Sequence, residues 1–109
     1  MVEQALLRHD CVHDCAVVAL ADADVGERVA AVCVVRPGAR RVSESELVQA
    51  VAASLPAHAV PEYVWVRAEP LPRNPTGKVL KTELRDAVRA RVDAERRRGV
   101  LRWHRTARM

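Results

Sequence analysis

Residues 28–35 (RVAAVCVV) constrain the fold more strongly than any other segment, because they are apolar at both odd and even positions. Successive side chains of a strand point to opposite faces of a sheet, so a strand with this pattern is covered on both faces. Pro37 and Gly38 follow it and are typical of the end of a strand. The sequence therefore predicts a central strand that lies between two apolar layers.

Two further segments are predicted to be strands. Residues 15–20 (CAVVAL) are an apolar run, and residues 22–26 (DADVG) after them are typical of a turn. Residues 62–67 (EYVWVR) alternate with a period of two, which places Tyr63 and Trp65 on one face and two valines on the other. We therefore expect a small sheet of about three strands.

Helical patterns flank these strands. The second of three predicted helices begins at a capping box, in which the Ser43 hydroxyl accepts from the Glu46 amide and the Glu46 carboxylate reaches back. The third begins at about Thr82, the predicted N-cap. The element order α-β-β-α-β-loop-α predicts an α+β domain. The inward-facing residues of the three helices are Val2, Ala5, Leu6 and His9; then Leu47, Val48, Val51 and Leu55, before Pro56; then Leu84, Val88 and Val92.

Composition narrows the class of protein. The chain has 109 residues, half of them apolar, which suits one packed domain and argues against disorder. No apolar run approaches the ~20 residues that span a bilayer, and the N-terminus lacks the pattern of a secretory leader. Three cysteines, Cys11, Cys15 and Cys33, are best explained as buried, reduced thiols. We therefore expect a cytoplasmic protein without a membrane span.

The loop of residues 70–78 is the best candidate for a functional site. Residues 74–77 (NPTG) are favourable for a tight turn, and Lys78 follows directly; Lys81 is the only other lysine. A lysine is a compact, flexible point charge, so at the tip of a turn it can enter an anionic site on another domain. The residues alone leave a second interpretation open, a solvated hairpin with a basic tip, because charged turn tips are common.

Residues 71–81 (LPRNPTGKVLK) resemble the last core motif of the adenylate-forming superfamily of acyl-CoA synthetases, peptide-synthetase adenylation domains and luciferases. That motif, Pro-x-x-x-x-Gly-Lys followed by an apolar pair and a basic residue, matches without a gap. Residues 2–12 resemble the first lid helix of the family, and residues 17–27 resemble its strand and Asp-x-x-x-Gly-Glu turn. Ala19 and Ala21 depart from the Gly and Pro that are usual there. Three matching segments in order are more specific than any single motif.

The resemblance implies that residues 1–88 are the C-terminal lid domain of an ATP-dependent acyl-CoA ligase, of the kind that acts in fatty acid metabolism, and that residues 89–109 are an arginine-rich helix end or tail. It implies that Lys78 is the catalytic residue of adenylation. Further site residues implied by the resemblance support the catalytic loop or form the lid turn. They are Pro72, Asn74, Pro75, Thr76 and Gly77 in the loop, and Asp22, Gly26 and Glu27 in the turn.

In the resembled enzymes a carboxylate attacks the α-phosphorus of Mg-ATP, giving acyl-adenylate and pyrophosphate, and the lid then rotates so that CoA attacks the adenylate. The resemblance therefore implies ATP with Mg²⁺, CoA and a carboxylic acid as ligands of the complete enzyme. The implied partners are an N-terminal adenylation domain and a lysine acetyltransferase that acts on Lys78. The chain lacks the phosphate loop and the substrate pockets of that domain, so we expect it to bind none of these ligands and to be inactive alone.

The sequence leaves two alternative functions open. An adenylation subdomain of a peptide synthetase should be followed by a carrier domain, so a chain ending at Met109 favours a free-standing CoA ligase. A stand-alone nucleic-acid-binding module is suggested by the end of the chain, where nine arginines but only three acidic residues follow residue 84. Only Trp103 among aromatic residues accompanies them, so a solvated helix end is the favoured interpretation.

A zinc site is suggested by the alternation of His9, Cys11, His13 and Cys15. In an extended strand, however, side chains at positions i and i+2 are about 6.6 Å apart, so four of them cannot converge on one tetrahedral ion. We therefore expect no metal site, and we interpret these residues as core thiols and a histidine at the end of a helix.

Overall fold

The computed structural model describes residues 2–104, and its elements follow the predicted order α-β-β-α-β-loop-α. A short 3-10 helix, Ala57–Ala59, joins the second helix to the last strand. None of the helices among these residues combines the length and the apolar character that crossing a membrane requires. The main elements are α1 (Val2–Leu7), β1 (Val12–Asp22), β2 (Gly26–Val35), α2 (Glu44–Ala52), β3 (Tyr63–Arg67) and α3 (Lys81–Arg97).

Strand β2 is the central strand of a three-stranded sheet with the order β1-β2-β3. It pairs antiparallel with β1, so that Cys15 lies opposite Cys33, and parallel with β3, so that Ala31 lies opposite Val64. Residues 30–34 are buried without interruption. The prediction of a central strand covered on both faces is therefore confirmed, as is the α+β class.

The two faces of the sheet are covered by different helices. One face packs against α1 and α2, and the other packs against α3. Alternate residues of β3 divide between these layers as predicted: Tyr63 and Trp65 lie in the α3 layer, and Val64 and Val66 lie in the other. The residues of α3 that enter the core are those predicted, Leu84, Val88 and Val92.

Helix α2 confirms only half of the predicted capping box. The Ser43 hydroxyl accepts a hydrogen bond from the Glu46 amide (3.1 Å). The Glu46 carboxylate does not reach back, and instead binds the guanidinium of Arg40 (2.5 and 3.1 Å) and His9 Nε2 (2.9 Å). Arg40 and then His9 lower the pKa of Glu46 to about 2. A charged donor forms a stronger bond than a neutral backbone amide, which explains the exchange of partners.

The predicted N-cap of α3 at Thr82 is wrong. The helix begins at Lys81, and its N-cap is Leu80, whose apolar side chain makes no capping hydrogen bond. The Leu80 N–H donates to the Pro72 carbonyl (2.8 Å), and the Leu80 carbonyl accepts the first helical bond, from Leu84 (3.0 Å). Because the preceding loop closes on Leu80, the helix starts there and Thr82 falls within its first turn.

The three cysteines are buried free thiols, as predicted, and the structure places all three on one side of the sheet. Burial raises the pKa of Cys15 and of Cys33 to about 12. A thiolate is the reactive form of cysteine, so burial disfavours the reactive form of Cys15 and Cys33.

The outer edge of β1 is covered by basic side chains of α3. Each donates to a backbone carbonyl on the edge, and the donors are spaced by four residues while the acceptors are spaced by two. A strand edge with open carbonyls is a template for pairing with another chain, and charged side chains are one way to block it. The bonds run from Lys81 to Val17 (2.6 Å), from Arg85 to Ala19 (3.1 Å), and from Arg89 to Ala21.

The residues after α3 turn back onto the sheet. Helix α3 is continuous across residues 88–89 and ends at Arg97, and Gly99, with φ of +72°, allows the reversal. The His104 N–H then donates to the Glu62 carbonyl (2.5 Å), and the ring of Trp103 meets that of Tyr63 edge to face. The last part of the predicted tail, with Arg105 and Arg108, lies outside the described residues.

Candidate functional site

Residues 72–80, here called the Lys78 hairpin, form a short loop closed by backbone hydrogen bonds. The Asn74 N–H donates to the Lys78 carbonyl (2.9 Å), and the Gly77 N–H donates to the Asn74 carbonyl (2.9 Å). At the base, the Leu80 N–H donates to the Pro72 carbonyl (2.8 Å). The backbone around Lys78 is therefore held by bonds within the hairpin itself.

The side chain of Asn74 organises the turn. Its Oδ1 accepts from the Thr76 N–H (3.1 Å), the Thr76 hydroxyl (2.8 Å) and the Lys78 N–H (2.9 Å). Pro75 has no N–H that needs a partner and has a fixed φ suited to the second position of a turn. Gly77 has φ of +91°, a conformation that costs little only for glycine. The residues of the NPTG segment thus each have a local reason to be there.

The side chain of Lys78 is exposed, in contrast to its well-bonded backbone. Within residues 2–104, no hydrogen bond or ion pair involves its Nζ atom. It lines an open depression together with the apolar pair Val79 and Leu80 and the first turn of α3. The arrangement presents an exposed cation on a backbone held by hydrogen bonds, and such a cation can bind one or two anionic oxygens that another molecule or domain supplies.

Two acidic residues that sequence analysis did not single out pair with a basic residue in the Lys78 hairpin or with the one directly after it. Asp14 on β1 pairs with Arg73 (2.5 Å), and Glu3 on α1 pairs with Lys81 (3.2 Å). The partners are 59 and 78 residues apart in sequence. Opposite charge was the only signal in the sequence, and it does not specify which of many acidic residues pairs with which basic one.

The predicted lid turn, residues 22–27, joins β1 to β2. Asp22 Oδ1 accepts from the N–H groups of Asp24 (2.8 Å) and Val25 (3.2 Å), and Gly26 has φ of +89°. Glu27 is exposed. The other oxygen of Asp22 accepts from Arg28 Nε (2.9 Å), and this bond is the main cause of a pKa for Asp22 below its ordinary value of 3.8.

Arg28 is the centre of a buried ionic cluster. Arg28 is only 5% exposed, and it pairs with Glu62 (3.0 Å) as well as with Asp22. The ring of Trp103 lies over its guanidinium, 4.3 Å from ring centroid to Cζ. All polar groups of the cluster are satisfied, which indicates a structural role. Sequence analysis missed it because Glu62 and Trp103 are distant in sequence.

The structure does not bring the two predicted site regions together. The lid turn follows Asp22 at one end of β1, whereas the Lys78 hairpin contacts Asp14 near the other end. Eight residues of extended strand separate these positions by about 27 Å. A single ligand the size of one phosphate group therefore cannot contact both regions.

The donor atoms of His9, Asp10 and Cys11 lie within 4.8 Å of one another, which is the spacing of a metal site. Both ring nitrogens of His9 already bond within the protein, Nε2 to Glu46 (2.9 Å) and Nδ1 to the Cys11 N–H (3.1 Å). The Cys15 thiol donates to the Glu3 carbonyl (3.3 Å), and His13 is exposed. A metal would have to displace the bonds of His9, so His9, Asp10 and Cys11 are better described as part of the turn that follows α1.

Comparison with known proteins gives a consistent result. Residues 1–78 match the family model described as the AMP-binding enzyme C-terminal domain, so the match ends on Lys78. The chain is 41% identical over 93 residues to a salicylyl-CoA synthase / salicylate adenylyltransferase from Streptomyces sp, which covers 85% of the chain and 17% of that protein. It is 36% identical over 92 residues to a medium-chain fatty-acid–CoA ligase from Escherichia coli, covering 84% and 16%.

Solved structures agree with these relatives. A Mycobacterium tuberculosis fatty acyl CoA synthetase superposes with a TM-score of 0.74 at 34% identity, covering 83% of this chain and 17% of that one. A Brucella canis acyl-CoA synthetase superposes with a TM-score of 0.72 at 38% identity and the same coverage. The chain thus spans about a sixth of the length of the relatives and structures it matches.

Proposed function

Because this chain belongs to the family of AMP-binding enzyme C-terminal domains, we propose that it is the C-terminal lid of an ATP-dependent, AMP-forming acyl-CoA ligase. In this proposal residues 1–88 form the lid, residues 89–109 are an arginine-rich helix end, and Lys78 supplies the cation for adenylation. The relatives named above are CoA synthases and ligases, which supports a CoA ligase over a peptide synthetase or a nucleic-acid-binding module.

The observation that carries the proposal is the contrast between the backbone and the side chain of Lys78. The N–H and the carbonyl of Lys78 are both bonded within the hairpin, whereas its ammonium group is exposed and faces an open depression. A group that must enter an active site on another domain needs a fixed base and a mobile tip. In the proposal, the supporting residues of the loop are Pro72, Asn74, Pro75, Thr76 and Gly77, and the lid turn is formed by Asp22, Gly26 and Glu27.

In the first half-reaction, the oxygen of a carboxylic acid forms a bond to the α-phosphorus of ATP, and the bond to the pyrophosphate leaving group breaks. Two anions must approach each other, and negative charge grows on the α-phosphoryl oxygens. The Lys78 ammonium, placed between carboxylate and phosphate oxygens, holds both in position and offsets this charge. No residue of the hairpin needs to gain or lose a proton in this step.

In the second half-reaction the CoA thiol attacks the acyl carbon, the thioester forms, and AMP leaves. Lys78 has no role in this step, so the lid can rotate and withdraw it. A lysine on an exposed hairpin is suited to such movement, because it breaks no buried contact among the described residues when it leaves the site.

We propose an N-terminal adenylation domain as the partner that binds ATP with Mg²⁺, CoA and the acid, since this chain spans only about a sixth of its relatives. The names of the relatives suggest salicylate and medium-chain fatty acids as the acids to test. The three buried thiols support the predicted cytoplasmic location.

The test is Lys78→Ala in the complete enzyme, this chain joined to its N-terminal domain, with the two half-reactions measured separately. Carboxylate-dependent exchange of pyrophosphate into ATP should fall by ~10²–10³-fold, the usual cost of removing a donor that stabilises transition-state charge. Formation of thioester from preformed acyl-adenylate and CoA should stay within about threefold of the wild-type rate. Equal loss in both half-reactions contradicts the proposal.

Two further arms sharpen this test. Arg97→Ala removes an exposed cation at the far end of α3 and should leave both half-reactions unchanged, which controls for the loss of a positive charge. Enzyme that is stoichiometrically acetylated at Lys78 keeps the side chain but lacks its charge, and it should lose adenylation as Lys78→Ala does. Full adenylation by the acetylated enzyme would contradict both the role of the charge and control of Lys78 by an acetyltransferase.

A further inference from the structure

We propose that Asp14 and Glu3 are positioning residues for Lys78, each of which fixes one leg of the Lys78 hairpin to the body of the domain. The inference rests on the proposed role of Lys78 in adenylation. It concerns two carboxylates that lie outside the loop motif and act on it through Arg73 and Lys81.

The first leg is fixed through Arg73. One terminal nitrogen of its guanidinium binds Asp14 Oδ2 on β1 (2.5 Å), and the other donates to the carbonyl of Gly77 (2.6 Å). The Gly77 carbonyl belongs to the peptide that joins Gly77 to Lys78. The planar guanidinium of Arg73 therefore connects the sheet to the peptide immediately before Lys78, and it fixes the orientation of that peptide.

The second leg ends at Leu80, and it is fixed through the next residue, Lys81, which is the first of α3. Its ammonium binds Glu3 Oε2 (3.2 Å) and the Val17 carbonyl (2.6 Å). The same oxygen of Glu3 accepts from the Val17 N–H (2.9 Å). Glu3 and Lys81 together thus occupy both polar backbone groups of Val17 on the β1 edge, and the hairpin, α1 and β1 meet at one point.

The ion pairs of Asp14 and Glu3 are needed because few other contacts hold the hairpin to the body of the domain. Its flanks are buried at Leu71 and Leu84, but residues 73–78 are exposed or only half-buried. A loop that is tethered only at its base can pivot, and a displacement of about 1 Å at a reacting group can cost ~10²-fold in rate. Two ion pairs on opposite legs restrict that pivot.

The anchors also decide which cation is available. Residues 73–81 contain three basic side chains, Arg73, Lys78 and Lys81. Asp14 and Glu3 pair with two of them, so that within residues 2–104 Lys78 is the cation of this segment whose charge has no carboxylate partner. An incoming anion is therefore directed to Lys78, and the two neighbouring cations do not compete for it.

The experiment compares Asp14→Asn, Glu3→Gln and the double variant with Asp86→Asn, a matched control at an exposed residue of α3 outside the hairpin. In the 109-residue chain, exchange of the Gly77 and Lys78 amide protons should accelerate by about tenfold in the double variant, the effect of two half-exposed ion pairs. Exchange in β2 should not change. In the complete enzyme, adenylation should fall by about tenfold in the double variant while thioester formation from preformed acyl-adenylate stays at the wild-type rate.

The outcomes separate this inference from the proposed function. Asp14→Glu restores the carboxylate and should recover most of the adenylation rate, which an effect on folding alone would not explain. If Lys78→Ala abolishes adenylation but the double variant adenylates and exchanges its hairpin amides like the wild type, the positioning role is wrong and the function stands. If Lys78→Ala has no selective effect, the proposed function fails, while the exchange data still report whether the carboxylates order the hairpin. Faster exchange in β2 as well would show general destabilisation and overturn the inference.

Discussion

The two turns that carry candidate residues, one after Asp22 and one after Asn74, share the same local construction. In each, the side-chain oxygen of the first residue accepts from backbone N–H groups that follow it. Each also has a glycine with positive φ, Gly26 at +89° and Gly77 at +91°. A basic residue follows each glycine within two positions. The local sequence therefore builds two similar supports for a cation.

The two turns differ in what surrounds the cation. Arg28 is buried between Asp22 and Glu62 with the ring of Trp103 over it, whereas Lys78 is exposed. The fork of an arginine suits two fixed carboxylates, and the single ammonium of a lysine suits a ligand that comes and goes. The comparison teaches that the turn itself does not define function. Long-range contacts bury the cation of one turn in an ionic cluster and leave the cation of the other exposed.

The largest expected effect is a difference in the free energy of unfolding between variants at Arg28 and at Lys78. Arg28→Met should lower the free energy of unfolding by about 3 kcal/mol, because it leaves the carboxylates of Asp22 and Glu62 without their shared partner. Lys78→Met should change it by less than about 0.5 kcal/mol, as is usual for an exposed residue. Urea denaturation of the chain measures both. If the two variants were equally stable, the distinction between a structural and an open turn would be lost.

A smaller effect is expected from the aromatic cover of the first turn. Trp103→Ala removes the ring that lies over Arg28 and meets Tyr63, and it should lower the free energy of unfolding by about 1–2 kcal/mol. Arg102→Ala, at the exposed neighbour, should have no measurable effect. Thermal unfolding followed by circular dichroism compares them. A Trp103→Ala protein as stable as the wild type would show that the residues after α3 do not contribute to the fold.

The smallest effect is a local response to low pH, which is expected at the turn that begins with Asp22 and not at the turn that begins with Asn74. The pKa of Asp22 in the folded protein lies below 3.8, chiefly because of Arg28, so its stabilising contribution is complete above pH 3.8 and is lost as the pH falls through the folded value. Asn74 cannot titrate. The amide resonance of Val25, whose N–H donates to Asp22 Oδ1, should therefore shift below pH 3.8, and that of Thr76 should not. A Val25 shift of the same size in Asp22→Asn, or one centred above pH 3.8, would contradict this assignment.

Local patterns predicted much of this molecule, because they report directly on the face to which a side chain points. Apolar residues at both odd and even positions correctly predicted that β2 is the central strand. The alternation in β3 correctly predicted which of its residues face each layer. The Asn-Pro-Thr-Gly segment likewise contains its own turn-forming interactions. Such features depend on neighbours within about four residues and can be read from a single chain.

The contacts that could not be predicted join residues far apart in sequence. Arg73 and Asp14 are 59 residues apart, and Arg28 and Glu62 are 34 apart. Charge alone does not choose among so many candidate pairs. The same cause explains the error at Glu46, whose carboxylate has the local partner that a capping box requires but binds His9, 37 residues away, and Arg40. For Lys78, the sequence predicts the residue and its role, and the role awaits the two-step assay.

The basic side chains of α3 bond the β1 edge as a neighbouring strand would, and helix geometry limits the length over which this can continue. Four helical residues advance about 6.0 Å, and two strand residues advance about 6.8 Å, so successive donors fall behind their acceptors by about 0.8 Å. Long, flexible side chains absorb that drift over the three rungs from Lys81 to Arg89. By a fifth rung the donors would lag their acceptors by about 3.2 Å, close to the length of one strand residue. A helix can therefore supply donors to a strand edge over only a few carbonyls, and the short β1 edge requires no more than that.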